Sequence, residues 1–582
     1  MDLFSFIMLG GGLAFFLYGM HVMSSGLERM AGGKLEGALR RMTSSLWKSL
    51  ALGAGITIAI QSSSAMTVML VGLVNSGIMD ISQTVGVIMG SNIGTTLTAW
   101  LLSLVGLETD NVALKLLKPE NFSLIFALVG AVMIMMAKQQ RKKDIGAIFV
   151  GFAVLMYGMK LMSSAVSPLA DAPEFAAILT AFENPLLGVL VGAVFTGIIQ
   201  SSAASVGVLQ ALALTGSITY GMAIPIIMGQ NIGTCVTALI SSIGVSRNAK
   251  KVAIIHISFN LIGTVVLLAI YLALDATIGF TFTDSSIDAT GIAFVHSVFN
   301  VVTTAMLLPF GKFLVHIANT LLKDKQKDED KPRHLLDERL LSTPSVAIAE
   351  CDRLTNRMAE MAQATLMKAL AVSRSYDSAV SDSIVEDENE LDRYEDELGT
   401  LLVHLSSQQL SANDSIRVSK MLHAIGDFER LGDHAVNIRE TARELEEKNA
   451  HFSEEAQREM LILTDALEEI LAITTEAYCT NNVSRAYRVE PLEEVIDDLV
   501  ATIKSNHIAR LTAGECDIEK GFILNDFLNN FERVSDHCSN IAVTIIELSN
   551  NRFDTHRYIH SVAYNTEGFR EDYKAYAEKY EI

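Results

Sequence analysis

The chain has 582 residues, of which 45 are Lys or Arg and 66 are Asp or Glu, and its formal net charge is −21. Residues 1–322 hold 16 of the basic and 14 of the acidic residues, so 29 basic and 52 acidic residues remain for the rest of the chain. An acidic excess of this size argues against a nucleic-acid partner. Five cysteines without metal-like spacing indicate reduced thiols rather than a disulfide framework.

The first 322 residues contain long runs without a charged side chain. Each run reaches the roughly 20 apolar residues that a helix needs to cross a bilayer. The first run is too long for a cleavable signal, and Asp2 stands where a basic residue would be expected. Residues 1–322 are therefore predicted to form an all-α, multi-pass membrane domain, with these uncharged runs: Leu3 to Gly26, Ser49 to Met79, Ile81 to Leu107 and Val252 to Leu274.

An internal repeat organises this domain. The run Gln61-Ser-Ser-Ser-Ala65 recurs 139 positions later as Gln200-Ser-Ser-Ala-Ala204. The same offset pairs Gly90-x-Asn-Ile-Gly-Thr95 with Gly229-x-Asn-Ile-Gly-Thr234, and Ser24-Ser25 with Ser163-Ser164. We expect repeat one at about residues 5–107, repeat two at about 145–246, and further helices at about 122–137, 252–274 and 291–316.

Charged residues near the membrane ends predict opposite orientations for the two repeats, because basic residues favour the cytoplasmic side. Four bases follow the first helix (Arg29, Lys34, Arg40, Arg41), whereas the matching part of repeat two has only acids. This bias reverses at the repeat ends. The N-terminus is then outside, and the charged linker 323–336 leaves the membrane on the cytoplasmic side. Parity requires a broken or re-entrant helix within each repeat, and the sequence leaves open which segment turns back.

Inverted repeats with broken helices place a substrate site where half-helix N-termini meet anions near the middle of the membrane. Gln and Ser side chains offer donors and acceptors that suit an oxyanion and Na⁺. No Lys or Arg lies in the apolar blocks, so a bound anion requires helix dipoles and co-bound cations, which favours cation coupling. The alternative is that Ser and Gly only permit close helix packing, but the recurrence in register favours a site.

On these residues the first 315 positions resemble the type II sodium-phosphate cotransporter family, which carries a Gln-Ser-Ser-Ser motif in each of two inverted repeats. The resemblance implies phosphate as substrate and Na⁺ as coupling ion. Ala203 departs from the motif, and Ser205 is the nearest hydroxyl that could replace the missing serine. The resemblance implies that Asn92, Thr95, Asn231 and Thr234 support the site. The full set of implied substrate- and sodium-binding residues is Gln61, Ser62, Ser63, Ser64, Asn92, Thr95, Gln200, Ser201, Ser202, Asn231 and Thr234.

The acidic remainder, residues 337–550, reads as a soluble helical domain with a second duplication. Phe428-Glu-Arg-Leu-Gly-Asp433-His434 recurs 103 positions later as Phe531-Glu-Arg-Val-Ser-Asp536-His537, which predicts two similar bundles. Glu429 and Asp433, like Glu532 and Asp536, lie four residues apart on one helix face and could hold hard or borderline cations. The alternative is a solvated acidic face in which Arg430 and Arg533 form ion pairs. Residues 551–582 form a charged C-terminal tail.

This second part resembles PhoU, a cytosolic regulator of phosphate uptake built from two three-helix bundles. The shared core is Glu-Arg-x-x-Asp-x-x-x-Asn-Ile, in both copies. Family members bind multinuclear metal clusters through the Glu and Asp of this core. The resemblance implies a divalent or iron-type cluster here, with Glu429, Asp433, Glu532 and Asp536 as its ligands.

The sequence therefore predicts a sodium-coupled symporter of inorganic phosphate in the cytoplasmic (inner) membrane, not an enzyme, working by alternating access. The PhoU-like domain would be regulatory and would contact a second copy of the chain or a phosphate-signalling protein. Two alternatives stay open: a membrane phosphate sensor without much transport, and an exporter or a symporter of another oxyanion.

Overall fold

The computed structural model describes residues 3–31, 45–75, 79–103, 119–166, 183–323, 335–408, 410–549 and 567–582. Every regular element within these ranges is a helix, apart from one isolated bridge between Thr219 and Ser286. The chain divides into two compact units, Met1–Ala347 and Ile348–Ile582. The all-α fold expected from the sequence is confirmed.

The first unit contains thirteen α-helices among the described residues. Six helical stretches are long and apolar enough to cross a membrane, and they include Leu3–Met30, Arg247–Ile278 and Ala289–Leu321. The chain is therefore a membrane protein. The helices are α1 Leu3–Ala31, α2 Leu46–Ile60, α3 Ser63–Asn75, α4 Ile81–Ser103, α5 Pro119–Met136, α6 Gln140–Val166, α7 Pro185–Ile199, α8 Ser202–Ala213, α9 Tyr220–Gly233, α10 Cys235–Ser241, α11 Arg247–Ile278, α12 Ala289–Leu307 and α13 Gly311–Leu321.

The duplication seen in the sequence appears as a duplicated series of helices. In each copy a long helix is followed by two short ones and a further apolar stretch. Helix α2 and its counterpart α7 begin and end at positions 139 apart, α3 and α8 begin 139 apart, and so do α4 and α9. The break between the two short helices falls at Gln61 in one copy and at Gln200 in the other.

Glycines let α1 and α6 cross at very short distance. A Cβ on Gly12 would lie 2.9 Å from the carbonyl oxygen of Gly158, and one on Gly19 would lie 2.6 Å from that of Gly151. Small residues of this kind permit close packing between membrane helices. The lower-numbered glycine of α1 faces the higher-numbered glycine of α6, so the two helices run antiparallel. Gly12 and Gly151 occupy equivalent positions in the two repeats, and so do Gly19 and Gly158. The contacts join Gly12 to Gly158 and Gly19 to Gly151, so each contact combines the two different equivalent positions.

The second unit consists of long amphipathic helices that bury Leu, Ile, Phe and Ala along one face. Helix α16 packs on both α15 and α20, helices α17, α19 and α20 pack together, and α21 packs on α19. Their bounds are α14 Pro344–Arg374 (which begins in the first unit), α15 Ser378–Ser406, α16 Ala412–Glu447, α17 Glu454–Thr480, α18 Val483–Ala486, α19 Val489–Thr512, α20 Ile518–Ser549 and α21 Glu567–Lys579.

The division between the units differs from the boundary expected at residue 337. Residues 335–347 belong to the first unit, and the division falls inside α14. Most of the linker, residues 324–334, lies outside the described residues, as do the basic residues Lys34, Arg40 and Arg41 that were used to orient repeat one. Within the expected tail, residues 567–579 form helix α21.

Candidate functional site

Both Gln-Ser-Ser runs interrupt a helix in the same way. Gln61 ends α2 with φ 52° and ψ 27°, and Gln200 ends α7 with φ 58° and ψ 21°. These left-handed values are uncommon for a residue with a side chain, and they stop the helix. The next serine then caps the following helix, because the Ser62 hydroxyl accepts from the backbone N–H of Ala65 at 3.1 Å and the Ser201 hydroxyl from that of Ala204 at 3.2 Å.

The two breaks border one cavity of about 230 Å³. Helices α3 and α8 both begin at its wall, so their unpaired N-terminal N–H groups are available to a ligand there. Each helix start carries about half a positive charge, which makes this region suited to an anion. The lining residues are Met20, His21 and Ser24 of α1, Thr57, Gln61, Ser62, Ser63 and Ser64, Thr95 and Thr98 of α4, and Gln200, Ser201, Ser202 and Ala203.

The carboxamide of Gln61 is held on both sides. Its oxygen accepts a hydrogen bond from the Thr98 hydroxyl at 2.9 Å, and its nitrogen donates to the carbonyl oxygen of Ile58 at 2.6 Å. The hydroxyl of Ser24 donates to the carbonyl of Ile60, the residue before the break. Helices α1 and α4 therefore fix the broken segment from two directions.

Eight of the eleven binding residues predicted from the sequence lie at the cavity, and three lie behind it. Asn92 donates to the carboxamide oxygen of Asn260 on α11 at 3.5 Å. Asn231 donates to the carbonyl of Ile227 at 2.9 Å, and Thr234 donates to the carbonyl of Asn231 at 2.6 Å. All three are buried and do not line the cavity, so their contacts are those of supports.

The second break lacks a third serine, and the structure does not replace it. Ala203 lines the cavity where repeat one has Ser64. Ser205 is fully buried, and its hydroxyl accepts from Thr196 at 2.7 Å rather than reaching the cavity. The expectation that Ser205 could substitute is therefore wrong, because its position on α8 turns it toward α7.

Sequence reasoning did not single out His21, Ser24, Thr57 and Thr98. Ser24 belongs to a pair that recurs at the 139-residue offset, which was an available signal. His21 is the single ionisable side chain among the described residues that line the cavity. Its repeat counterpart is Lys160, so no recurrence of residue type marks it.

Two clusters of three carboxylates in the second unit could each hold a metal ion. Glu388 and Asp392 of α15 meet Asp433 of α16, and in the other copy Glu493 and Asp497 of α19 meet Asp536 of α20. Within each cluster one oxygen from every residue lies within 4.8 Å of the others. Carboxylate oxygens at such spacing fit hard or borderline cations.

The predicted ligands divide between these clusters and the helix surface. Asp433 and Asp536 belong to the clusters, and Arg430 and Arg533 pair with them at 2.8 Å and 3.1 Å. The other two predicted ligands lie outside these clusters and also form ion pairs with basic side chains. A carboxylate oxygen of Glu429 lies 3.5 Å from Arg430, and one of Glu532 lies 3.2 Å from Lys504.

The electrostatics of the clusters favour a cation. Burial first, and then the neighbouring carboxylates with Glu490 foremost, raise the pKa of Glu493 to about 8. Burial also raises the pKa of Asp497 to about 6, with Asp536 as the next cause. The pKa values of Glu388 and Asp392 are raised for the same reasons. Carboxyls crowded in this way bind a cation in place of protons.

Comparison with protein families gives two matches. A model described as Na⁺/Pi-cotransporter matches residues 15–164 and 154–291, and a model described as PhoU domain matches residues 355–442 and 461–545. A crystal structure of PhoU from Pseudomonas aeruginosa aligns with 35% of this chain and 98% of its own, with 18% identity and a TM-score of 0.34.

Three relatives are informative. YjbB of Escherichia coli K12, named provisionally as an inorganic phosphate export protein, is 23% identical over 550 residues, covering 92% of this chain and 96% of its own length. The uncharacterised YqeW of Bacillus subtilis is 29% identical over 54% of this chain and 97% of its own. Sodium-dependent phosphate transport protein 2A of the rat is 36% identical over 105 residues, which are 17% of this chain and 16% of that protein.

Proposed function

Because the membrane part of the chain belongs to the Na⁺/Pi-cotransporter family and two PhoU domains follow it, we propose that it carries inorganic phosphate together with Na⁺ by alternating access. The observation that supports this most directly is the single cavity bordered by both Gln-Ser-Ser breaks. Two helix N-termini at this cavity supply donors for phosphate oxygens. The protein binds and releases phosphate and performs no covalent chemistry.

The charge at the cavity supports sodium coupling. The two helix starts contribute about one positive charge in total, and neither Lys nor Arg is among the described lining residues. Phosphate carries one or two negative charges near neutral pH, so a co-bound cation completes the neutralisation. Serine and threonine hydroxyls together with carbonyls freed at the breaks are suitable oxygen ligands for Na⁺.

Inverted topology is supported by the antiparallel crossing of α1 and α6, which are equivalent helices of the two repeats. Arg29 at the end of α1 pairs with Asp144 at the start of α6 at 2.8 Å, so Arg29 lies at the same face as the bases Arg141, Lys142 and Lys143 that begin α6. The positive-inside preference assigns that face to the cytoplasm. We place the N-terminus outside and the PhoU domains in the cytoplasm, beneath the cytoplasmic membrane.

Phosphate uptake into proteoliposomes tests this function. We expect an inward Na⁺ gradient to drive accumulation of labelled phosphate, a matched K⁺ gradient not to do so, and Ser62→Ala with Ser201→Ala to abolish it. Because the gradient sets the direction, reversing it should drive export, as the name of YjbB suggests for that relative. Binding without sodium-driven movement in either direction would refute the symporter and favour the sensor.

We propose that the PhoU domains hold metal through the two carboxylate clusters and regulate transport. Asp433→Asn with Asp536→Asn should lower the metal content of the full chain, measured by elemental analysis. Glu429→Gln with Glu532→Gln is the matched control, because these side chains lie one turn away on the same helices and belong to neither carboxylate cluster. Equal loss in both double variants would contradict the assignment of the ligands.

A further inference from the structure

The chain returns to the membrane domain after leaving it. Residues 336–343, here called the clasp, contain a short 3-10 helix, Glu338–Ser342, and directly precede α14. Leu336 and Leu340 of the clasp are buried within the first unit. Leu340 covers Gly72 of α3, where an added Cβ would lie 3.1 Å from the Leu340 Cδ2 atom. The clasp is therefore packed on α3 rather than extended into solvent.

Asn75, the last residue of α3, joins the clasp to another element. Its Nδ2 donates to Oδ2 of Asp337 at 2.6 Å, and its Oδ1 accepts from the backbone N–H of Ser246 at 2.8 Å. Ser246 is the N-cap of α11. One carboxamide thus bridges the clasp and the turn between α10 and α11.

Arg339 connects the clasp to the same turn a second time. Asp337 accepts from the backbone N–H of Arg339 at 2.9 Å and from its guanidinium at 2.9 Å. The guanidinium also donates to the carbonyl oxygen of Ile243 at 2.7 Å. The Asp337 side chain is only 4% exposed and that of Arg339 is 29% exposed, so salt screens this pair less than a pair on the open surface.

Helix α3 links the clasp to the cavity. Its first two residues, Ser63 and Ser64, line the cavity, and Asn75 stands at its other end. At 1.5 Å per residue the helix is about 18 Å long. The turn between α10 and α11 ends repeat two, so the clasp ties the second half-helix of repeat one to the end of repeat two.

Helix α14 begins at Pro344, directly after the clasp, and continues to Arg374. The division between the two units, at Ala347 and Ile348, falls inside this helix. We propose that the clasp is a latch through which the C-terminal unit controls phosphate movement. Closed, it holds α3 against the turn before α11, and its opening frees the half-helix that borders the cavity. This inference rests on the proposed transport function.

A disulfide tests the latch. A Cβ at position 72 would lie 3.2 Å from Cγ of Leu340, so Gly72→Cys with Leu340→Cys places two thiols within bonding range. In full-length protein in liposomes, oxidation of the double variant should lower phosphate flux at least tenfold, and reduction should restore it. Each single variant under the same oxidant is the control for the native cysteines. Equal flux in the oxidised and reduced double variant would overturn the proposal.

Control by the C-terminal unit is tested without measuring transport. The rate at which the reduced double variant forms its disulfide should change at least threefold when Asp433→Asn and Asp536→Asn are added. Unchanged rates would refute control through α14. This readout remains decisive if the parent protein moves no phosphate under any gradient, a result that would instead refute the proposed function.

Asp337→Ala opens the latch by removing its hydrogen bonds to Asn75 and Arg339, and we expect at least a threefold rise in flux. Arg353→Ala is the matched control, since its 2.7 Å pair with Glu350 lies within α14 and does not involve α3. Equal flux in the two variants, with both proteins folded, would contradict the latch.

Discussion

The hydrogen bond between Thr98 and Gln61 allows a sharp test of the cavity. Thr98→Val keeps the shape of the side chain but removes the donor to the carboxamide oxygen of Gln61, which lies 2.9 Å away. Gln61 is buried, so its oxygen would lose its partner. Leaving a buried acceptor unsatisfied costs about 1–3 kcal/mol. The carboxamide would then turn away from the position in which α4 holds it.

This cost translates into binding. If the carboxamide contacts phosphate or Na⁺, a loss of about 1–3 kcal/mol lowers apparent affinity by roughly fivefold to 150-fold. We expect Thr98→Val to raise the phosphate concentration for half-maximal sodium-driven uptake by a factor in this range. The protein should remain folded, because the change is confined to one hydroxyl.

Thr96→Val is the matched control. Thr96 stands two positions away on the same helix, is equally buried, and donates to the carbonyl of Ile93 at 2.7 Å without lining the cavity. Both variants lose one buried hydroxyl, so a general effect on α4 would appear in both. Indistinguishable uptake curves for the two variants would refute the positioning of Gln61 by Thr98.

Two further predictions concern packing and titration. Gly19→Ala should reduce the yield of monodisperse protein in size-exclusion chromatography, because its Cβ would lie 2.3 Å from the backbone nitrogen of Leu155. Gly11→Ala is the control and should not reduce the yield, because no atom lies within 4 Å of its Cβ. Equal yields would contradict the close crossing. The pKa of Glu493 is about 8 in the folded protein, above its ordinary value of 4.5. Its protonated form therefore stabilises the fold fully below pH 4.5, and this stability is lost as the pH rises toward about 8. In chelator-treated protein Glu493→Gln should flatten this decline in thermal unfolding temperature, and an unchanged slope would refute the assignment.

The sequence predicted a broken or re-entrant helix in the repeats but left open which segment carries it; the structure has the breaks at a local pattern that occurs twice. Gln61 and Gln200 stand at the same place in both copies, followed by serines that can cap a new helix. The offset of 139 residues carried over without change into the starts of three pairs of helices. The membrane character and the second, acidic helical part were likewise readable, since apolar length and charge distribution are properties of the chain itself.

The rest of the cavity depends on which helices meet, and periodicity does not contain that information. Thr98 and Ser24 have hydroxyls like many other residues of α4 and α1, and only the packing directs these two toward the break. The carboxylate clusters of the second unit depend on helix packing in the same way. Glu429 and Asp433 share a helix face, but Glu388 and Asp392 reach Asp433 from a neighbouring helix, and no spacing along one helix predicts that encounter.

The cavity is chemically unequal although the repeats are structurally alike. Thr57 and Thr95 of repeat one line the cavity, whereas their equivalents Thr196 and Thr234 do not. The hydroxyls of Thr57 and Thr95 donate to the hydroxyl and the carbonyl of Ser91, so their oxygens keep lone pairs that can accept. The Thr196 hydroxyl donates to Ser205, and that of Thr234 to the carbonyl of Asn231. Under the proposed sodium coupling, we therefore expect more of the oxygen ligands for Na⁺ to come from repeat one.

This asymmetry predicts which substitutions change sodium dependence. Thr57→Val should raise the Na⁺ concentration needed for half-maximal phosphate uptake, because it removes an oxygen from the cavity wall. Thr196→Val removes the equivalent hydroxyl outside the cavity and is the matched control. The measurement is uptake at fixed phosphate over a range of Na⁺ at constant ionic strength. If both variants shift the sodium curve equally, the cation site follows the repeat symmetry, and its placement beside repeat one is wrong.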